Sequence, residues 1–229
     1  MLQVYHLINS RSQRVLWLLE ELELPHDIVF CTRDPITQTA PLSLQQQHLL
    51  GKVPILVDGA VTLAETGAIF DYVLEQYGAG RLIPTQGSEA KTQYFYWKNF
   101  AEGSFMPTLA MKQVFARMTS KSPWLLRPIF KIIQREVNAR YLNPTLYQQL
   151  DAIEQQLSLS TWLAGEALSA ADLLLMFMLE AACVSRVPAE RYPQIQAYVQ
   201  RARSLPSYQR AAARGQWSVT AHRAYWQEA

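Results

Sequence analysis

The sequence has few cysteines, few glycines and few charged residues for its length. Its two cysteines, Cys31 and Cys183, stand far apart in the 229-residue chain, without the CxxC spacing of a zinc site or a redox dithiol. Lys and Arg number 21 and Asp and Glu 19, which argues against a protein that binds nucleic acid through its overall charge. The nine glycines favour a largely helical structure. We therefore expect no metal site and no nucleic-acid partner.

Long apolar runs and a leader pattern are also missing. The longest apolar run, Leu173 to Leu179, is far short of the ~20 residues that a membrane helix needs, and charged residues lie on both sides of it. The stretch from Met1 to Arg14 lacks a basic segment followed by a long apolar one, so we expect no signal peptide. Apolar residues make up 49% of the chain, which is enough for a core. These features predict a soluble, cytoplasmic protein with no membrane partner.

The beginning of the chain alternates between strand and helix patterns. Residues 2–8 and 27–31 have the composition of strands, and they flank a helical pattern that Ser10 or Ser12 can cap. A right-handed crossover makes these two strands parallel in one sheet. The sequence therefore opens with a strand–helix–strand unit.

A hairpin and another helix complete this unit. Residues 53–57 and 61–63 have strand composition and flank Asp58-Gly59, a turn signal. Thr66 is expected to cap the helix that follows. We predict an α/β domain of four strands over residues 1–80.

A loop-rich segment separates this domain from a helical remainder. Glycines and a proline crowd into residues 78–87, so we predict a linker at 81–87 and an all-helical domain at 88–229, punctuated by prolines. Ser169 and Asp172 precede an apolar run with the spacing of a capping box. In that motif Ser169 accepts a hydrogen bond from a backbone N–H, and Asp172 reaches back to the N–H of Ser169.

Three local features share a chemistry that suits a small peptide charged at both ends. The predicted helix start after Asn9 has open N–H groups, which favour a thiolate or a carboxylate. A cis Val53–Pro54 bond would leave the backbone of Val53 free to pair with an extended ligand. Glu65 and Thr66 begin another helix and offer groups for an ammonium and a carboxylate. Each feature also has an ordinary alternative, such as a capped helix or a trans proline at the start of a strand.

The sequence resembles the cytosolic glutathione transferases in segments that occur in family order over nearly the whole chain. These segments are YHLINSRSQRVLWLLEELELP, RDPITQTAP, HLLGKVPILVDG, LAETGAIFDYVLEQYG and WLAGEALSAADLLL. The first two are similar to a subgroup shared by fungi and bacteria. The resemblance implies a thioredoxin-like domain that binds glutathione as co-substrate, a helical domain that supplies the second pocket, and a homodimer. The implied activity is attack of the glutathione thiolate on a hydrophobic electrophile, a detoxification reaction.

The resemblance also assigns glutathione-binding residues. Val53, beside a cis proline, pairs through its backbone with the cysteinyl part of glutathione. Glu65 and Thr66 hold the ammonium and carboxylate of the γ-glutamyl part, while Lys52 and His48 lie near the glycyl carboxylate. The implied set is His48, Lys52, Val53, Pro54, Glu65 and Thr66.

The group that activates the thiol is expected in the turn after the first strand. Ser10 falls on the activating hydroxyl of serine-type members, and alignments shifted by a residue or two favour Asn9 or Ser12. No cysteine occupies this turn, so the mixed-disulfide chemistry of cysteine-type members is not expected. Adaptable and aromatic side chains near helical spacing predict the electrophile pocket, with a core role as the alternative for each. They are Phe105, Met106, Met111 and Phe115, with Trp217 near the end of the chain.

Two other functions stay open at the level of the sequence. A glutathione-dependent peroxidase needs the same thiolate and no additional protein residue. A non-catalytic glutathione-transferase-like binding protein would keep the fold without turnover, because fold alone does not determine function.

Overall fold

A mixed sheet forms the first part of the computed structural model, which describes residues 1–33, 41–185 and 189–222. In this part of the chain the strands are β1 (Leu2–His6), β2 (His26–Phe30), β3 (Ile55–Asp58) and β4 (Val61–Ala64), in the spatial order β2-β1-β3-β4. β1 is parallel to β2 and antiparallel to β3, and β3 is antiparallel to β4. The sheet confirms the predicted α/β unit with one parallel crossover and one hairpin.

The helices of the described residues follow the predicted pattern of an α/β start and a helical remainder. They are α1 (Ser12–Glu21), α2 (Thr66–Tyr77), α3 (Glu89–Phe100), α4 (Met106–Lys121), α5 (Arg127–Val137), α6 (Asn143–Leu159), α7 (Ala170–Ser185), α8 (Pro193–Ser204) and α9 (Pro206–Arg214). Among these residues, none of the helices is long and apolar enough to cross a bilayer.

Two of the prolines that the sequence analysis expected to interrupt helices lie inside longer ones. α3 continues through a π-helical turn, Ala101–Phe105, into α4, and α5 continues through Asn138–Leu142 into α6. Pro107 and Pro144 stand just after these turns. Because a proline has no N–H and crowds the carbonyl one turn back, a widened turn ahead of it lets the helix continue.

The described residues separate into two units. The first contains Met1–Thr85 and Arg201–Ser218, and the second contains Gln86–Gln200 and the residues from Val219 on. The boundary after Thr85 lies within the segment 81–87 expected as a linker. Residues 201–218 were expected in the helical domain, whereas in the structure this stretch packs with the sheet unit through α9.

α9 packs in the first unit because α1 is apolar on more than one side. Trp17 of α1 is fully buried, its indole N–H donates to Ser207 Oγ at 3.1 Å, and its ring meets Tyr208 edge to face. The side chain of Gln13 also donates to the carbonyl of Ala211 at 2.6 Å. α1 is therefore covered by the sheet on one side and by α9 on another.

In the second unit, Asp172 fixes the start of α7. Its Oδ1 accepts from the N–H of Leu163 at 2.9 Å, and its Oδ2 accepts from the N–H of Ser169 at 2.8 Å and from Ser169 Oγ at 2.7 Å. Burial raises the pKa of Asp172 to about 6, although these hydrogen bonds act in the opposite direction. The predicted contact from Asp172 back to the N–H of Ser169 is therefore present. The other half of the predicted capping box is wrong, because the hydroxyl of Ser169 donates to the carboxyl group instead of accepting from a backbone N–H.

We expect Asp172→Ala to lower the free energy of unfolding by about 3 kcal/mol, because two backbone N–H groups and a hydroxyl lose their acceptor inside the protein. Ser169→Ala keeps both backbone contacts and should cost about 1 kcal/mol. Urea unfolding of the two variants measures the difference. Equal losses would show that the carboxyl group does not carry this helix start.

Candidate active site

A chain of hydrogen bonds runs through the turn between β1 and α1. Ser10 Oγ lies 2.7 Å from Ser12 Oγ, which lies 2.7 Å from His6 Nδ1. His6 Nε2 lies 2.8 Å from the carbonyl oxygen of Gly215, just after α9. His6 and Ser12 have no exposed surface, and Ser10 is half-buried. The chain therefore joins the turn to the interior and to a segment more than 200 residues away.

The carbonyl at one end sets the direction of every bond in this chain. A carbonyl oxygen can only accept, so His6 Nε2 carries a hydrogen and donates to Gly215. In the neutral imidazole Nδ1 then accepts, and the hydroxyl of Ser12 donates to it at 2.7 Å in preference to the carbonyl of Leu7, which lies 3.4 Å away. Ser12 Oγ in turn accepts from the hydroxyl of Ser10, and also from the N–H of Leu7 at 3.2 Å. The hydroxyl hydrogen of Ser10 thus points into the protein.

The neutral state of His6 follows from its surroundings. Burial lowers the pKa of His6, and the hydrogen bond to Gly215 offsets this only in part. A positively charged imidazole would have hydrogens on both nitrogens, so Nδ1 could no longer accept from Ser12.

The side chain of Asn9 differs from that of Ser10, because its acceptor atom is used within the described part of the protein and its hydrogens are not. Its Oδ1 accepts from the N–H of Ser218 at 2.9 Å, and since a backbone N–H can only donate, the amide NH₂ lies on the other side. This NH₂ has no partner among the residues that the structure describes. Asn9 has φ +55°, a left-handed conformation that asparagine tolerates better than most residues. The turn therefore offers the amide of Asn9 as a donor.

The guanidinium of Arg33, which was not among the predicted site residues, lies at the same turn. It is 3.4 Å from the carbonyl oxygen of Ile8 and 3.5 Å from that of Asn9. These contacts place a positive charge beside the open end of α1. The sequence signal was present, because Arg33 begins the RDPxT pattern.

A cavity of about 120 Å³ brings several of the expected residues together. The Val53–Pro54 peptide bond is cis, and β3 begins only at Ile55. The N–H and C=O of Val53 have no partner among the described residues. The cavity is lined by Arg11, Leu50, Lys52, Val53, Pro54, Ala64, Glu65 and Thr66.

The start of α2 opens into this cavity. Glu65 is the residue before the helix, with φ +70° and an exposed side chain, and no side chain caps the first turn. Thr66, expected as the cap, is instead the first helical residue and is buried. A buried threonine in that position leaves the open N–H groups of the first turn available to an anion.

His48 and Lys52 precede the cis bond in a short loop. The loop closes by a hydrogen bond from the N–H of Gly51 to the carbonyl of His48 at 2.8 Å. Gly51 has φ +54°, and an added Cβ would come 2.7 Å from Gln45 Cγ, so a larger residue would strain the backbone and displace the Gln45 side chain. The exposed side chain of Lys52 reaches the cavity, whereas the half-buried His48 does not line it.

The residues expected in the electrophile pocket differ in their accessibility. Phe105 is fully buried in the helical unit, where its ring stacks on Phe100 at a centroid distance of 6.1 Å. Met106 and Phe115 are half-buried, and Met111 is exposed. Trp217 belongs to the sheet unit and lies in sequence between Gly215, which bonds to His6 at the end of β1, and Ser218, which bonds to Asn9 in the β1–α1 turn.

Within the described ranges, no group of three or more histidine, cysteine or acidic side chains is placed to hold a metal ion. The polar groups gathered here instead suit a ligand with an anionic end, a cationic end and an extended backbone.

The lowered pKa of His6 predicts an effect of pH on stability. The unfolded chain takes up a proton at His6 as the pH falls through about 6.5, while the folded chain resists it, so stability is lost below that pH. Urea unfolding between pH 7 and pH 5 should therefore show a shallower pH dependence for His6→Gln, by up to about 1.4 kcal/mol per pH unit. His48→Gln is the matched control. An identical pH dependence in wild type and His6→Gln would contradict a neutral His6.

Comparison with known proteins places this chain in a family. Residues 1–75 match the glutathione S-transferase N-terminal domain, and residues 109–206 match the glutathione S-transferase C-terminal domain. Glutathione S-transferase 3 of Schizosaccharomyces pombe is 30% identical over 213 residues, which cover 93% of this chain and 87% of that protein. Glutathione S-transferase 1 of Saccharomyces cerevisiae is 30% identical, with 90% and 92% covered.

The three-dimensional comparison agrees with the sequence comparison. A crystal structure of a glutathione S-transferase from Actinobacillus pleuropneumoniae has a TM-score of 0.79 and 28% identity, and the match covers 96% of this chain and 94% of that one. The chain therefore belongs to the glutathione S-transferase family.

Proposed function

We propose that this chain is a glutathione transferase that binds glutathione along the edge of its sheet and transfers it to hydrophobic electrophiles. The observation that carries the proposal is the cavity into which the free backbone of Val53 and the uncapped start of α2 both open. Family membership supports the same activity. Glutathione is the co-substrate.

The charges of glutathione fit the two ends of this cavity. The γ-glutamyl carboxylate meets the open N–H groups at Thr66, and the ammonium meets the carboxylate of Glu65. The cysteinyl backbone pairs with Val53. The glycyl carboxylate lies towards Lys52, with His48 farther out. Because about 120 Å³ is small for a tripeptide, the cavity holds the γ-glutamyl end and the remainder lies along the sheet edge.

The thiolate is stabilised by Asn9 rather than by the hydroxyl that family alignment favours. The hydrogen of Ser10 is committed to Ser12, so Ser10 presents lone pairs, which favour a neutral thiol. The amide of Asn9 presents hydrogens, which favour the anion. Ser12 is buried and serves as a positioning residue for Ser10.

These groups can supply the free energy that is needed to stabilise the glutathione thiolate at pH 7. A free thiol has a pKa of about 8.5, so only about 3% is ionised at pH 7. Lowering the pKa by about two units takes about 2.7 kcal/mol of selective stabilisation of the anion. One hydrogen bond to a charged acceptor contributes about 1.5–3 kcal/mol, and a helix start about 0.3–1 kcal/mol. Arg33 adds a nearby positive charge.

We expect Asn9→Asp to raise the pKa of the bound glutathione thiol by about two units, because a carboxylate repels the thiolate where an amide donated to it. The aspartate retains an acceptor for Ser218 and tolerates the left-handed backbone. Asn9→Gly, which removes the donor without adding charge, should raise the pKa by about one unit. Ultraviolet absorbance of the thiolate, followed against pH in the glutathione complex, measures the shift.

Ser10→Ala is the comparison variant for this titration. Its expected shift is small, because the hydroxyl that it removes donates inward. A large shift in Ser10→Ala with none in Asn9→Asp would assign the role to Ser10 and overturn the direction of the hydrogen-bond chain.

The electrophile is apolar, and we propose that Trp217 lies beside the reacting sulfur. Ser218, the next residue after Trp217, bonds to Asn9, and Gly215 bonds to His6 at the end of β1, which supports this placement. Met106, Met111 and Phe115 have accessible surface for an apolar substrate, whereas the burial of Phe105 favours a core role.

We propose further that the chain acts as a homodimer in the cytoplasm. A groove of about 810 Å³ on the helical unit is lined by Phe95, Tyr96 and Phe100, and aromatic residues are the usual anchors of protein interfaces. The reduced glutathione that the reaction consumes is maintained in the cytoplasm.

Tyr96→Lys should weaken the dimer at least about tenfold, because a charged side chain replaces an aromatic anchor. Tyr141→Lys is the matched control, since Tyr141 is similarly exposed and does not line this groove. Light scattering over a range of concentrations measures the dissociation. A dimer of unchanged strength in Tyr96→Lys would exclude this groove as the interface.

A further inference from the structure

The turn between α4 and α5 and the beginning of α5 expose an unusual amount of apolar surface. We call this surface the α4–α5 tip; Trp124 is 76% exposed, Leu125 67% and Ile132 63%. α5 itself has no buried residue along its whole length. The other exposed apolar residues of the tip are Leu126, Ile129 and Ile133. The turn consists of residues Ser122 to Leu126. The apolar surface therefore begins at the end of the helical hairpin that α4 and α5 form.

A row of positive charges lies beside this apolar surface. Arg127, Lys131 and Arg135 are spaced by four residues on α5, so they share one side of the helix, next to the side that carries the exposed isoleucines. Lys121, at the end of α4, is also exposed. Lys121, Lys131 and Arg135 form no ion pair with any described residue. The acidic residue of α5, Glu136, is already paired with Arg140 at 2.8 Å.

This combination favours one kind of partner. A helix with an exposed apolar side and an adjacent basic side has the pattern that binds at the interface of an anionic bilayer. Tryptophan prefers the headgroup region, where its ring is apolar and its N–H remains hydrated. No membrane partner was expected from the sequence, which has no apolar run long enough to span a bilayer, but binding at the surface needs no spanning helix.

We propose that the α4–α5 tip docks on an anionic lipid surface, with Trp124 and Leu125 entering the headgroup region and Lys131 and Arg135 contacting lipid phosphates. α5 lies parallel to the bilayer plane in this arrangement. The tip is formed by residues that do not line the groove assigned to the dimer, so docking and dimer formation use different surfaces. The proposal does not depend on the enzymatic activity.

Cosedimentation of the full chain with vesicles tests this docking. Vesicles of phosphatidylcholine alone are compared with vesicles that contain phosphatidylglycerol at about one lipid in three. We expect at least about tenfold more bound protein on the anionic vesicles at low salt, and release at high salt because the charges are screened. The fluorescence of wild type should shift to the blue on binding, and that of Trp124→Phe should shift less.

Surface variants separate the apolar and the charged contributions. Leu125→Ser/Ile132→Ser and Lys131→Gln/Arg135→Gln should each lower the bound fraction at least about fivefold. Leu159→Ser and Arg191→Gln are controls elsewhere on the helical unit, because Leu159 is 75% exposed and Arg191 is an exposed cation that is already paired with Asp151, and both should bind like wild type. All of these positions are exposed, so the variants should fold, which circular dichroism checks.

Three results would overturn the proposal. One is equal binding of wild type to neutral and anionic vesicles, or binding to neither. Another is a change from dimer to monomer in Leu125→Ser/Ile132→Ser by light scattering, which would make a second copy of the chain the partner. The third is binding of soluble polyglutamate that matches vesicle binding and depends on the same residues, which would indicate an acidic protein instead.

Discussion

The hydrogen bond from His6 Nε2 to the carbonyl of Gly215 is the contact on which the chemistry of the site depends. It joins residues 209 positions apart and fixes which nitrogen of the imidazole carries the hydrogen. The direction of the bonds through Ser12 to Ser10 follows from that single choice. The neighbouring bond from Ser218 to Asn9 fixes the amide in the same way. A segment near the end of the chain thus decides which group of the first turn can donate to a ligand.

That segment is held in position by ion pairs between α1 and α9. Glu20, which is buried, accepts from Arg210 at 2.9 Å and from Arg214. Burial by itself raises the pKa of Glu20, but the hydrogen bonds from the two arginines outweigh it and lower the pKa. Arg214 also donates to the carbonyl of His26 at 2.8 Å, which ties α9 to β2. Because both arginines are partly exposed, their ion pairs with Glu20 add little to the stability of the fold. Their main effect is to orient α9 so that Gly215 reaches His6.

The sequence predicts those parts of the structure that local patterns determine. The strands and the hairpin at Asp58-Gly59 follow from alternation and turn residues. The first helix was expected to be capped by Ser10 or Ser12, but the residue before α1 is Arg11, and Ser12 is already helical. Thr66 was misplaced as a cap because the left-handed backbone of Glu65 shifts the helix start by one residue. The burial of Ser12 and the roles of His6 and Gly215 depend on long-range packing, and no pattern within β1 or α9 contains that information.

The glutathione site and the α4–α5 tip together give the enzyme access to two substrates that occur in different phases. Glutathione is a charged tripeptide and reaches the cavity from water, whereas a hydrophobic electrophile partitions into lipid. An enzyme dissolved in water meets such an electrophile only at its low aqueous concentration. Docking of the tip on an anionic bilayer holds the enzyme at the phase boundary, where the electrophile is concentrated and glutathione is still available. The tip can do this with exposed residues alone, so neither the sheet unit nor the hydrogen-bond chain from Gly215 needs to change when the protein binds lipid.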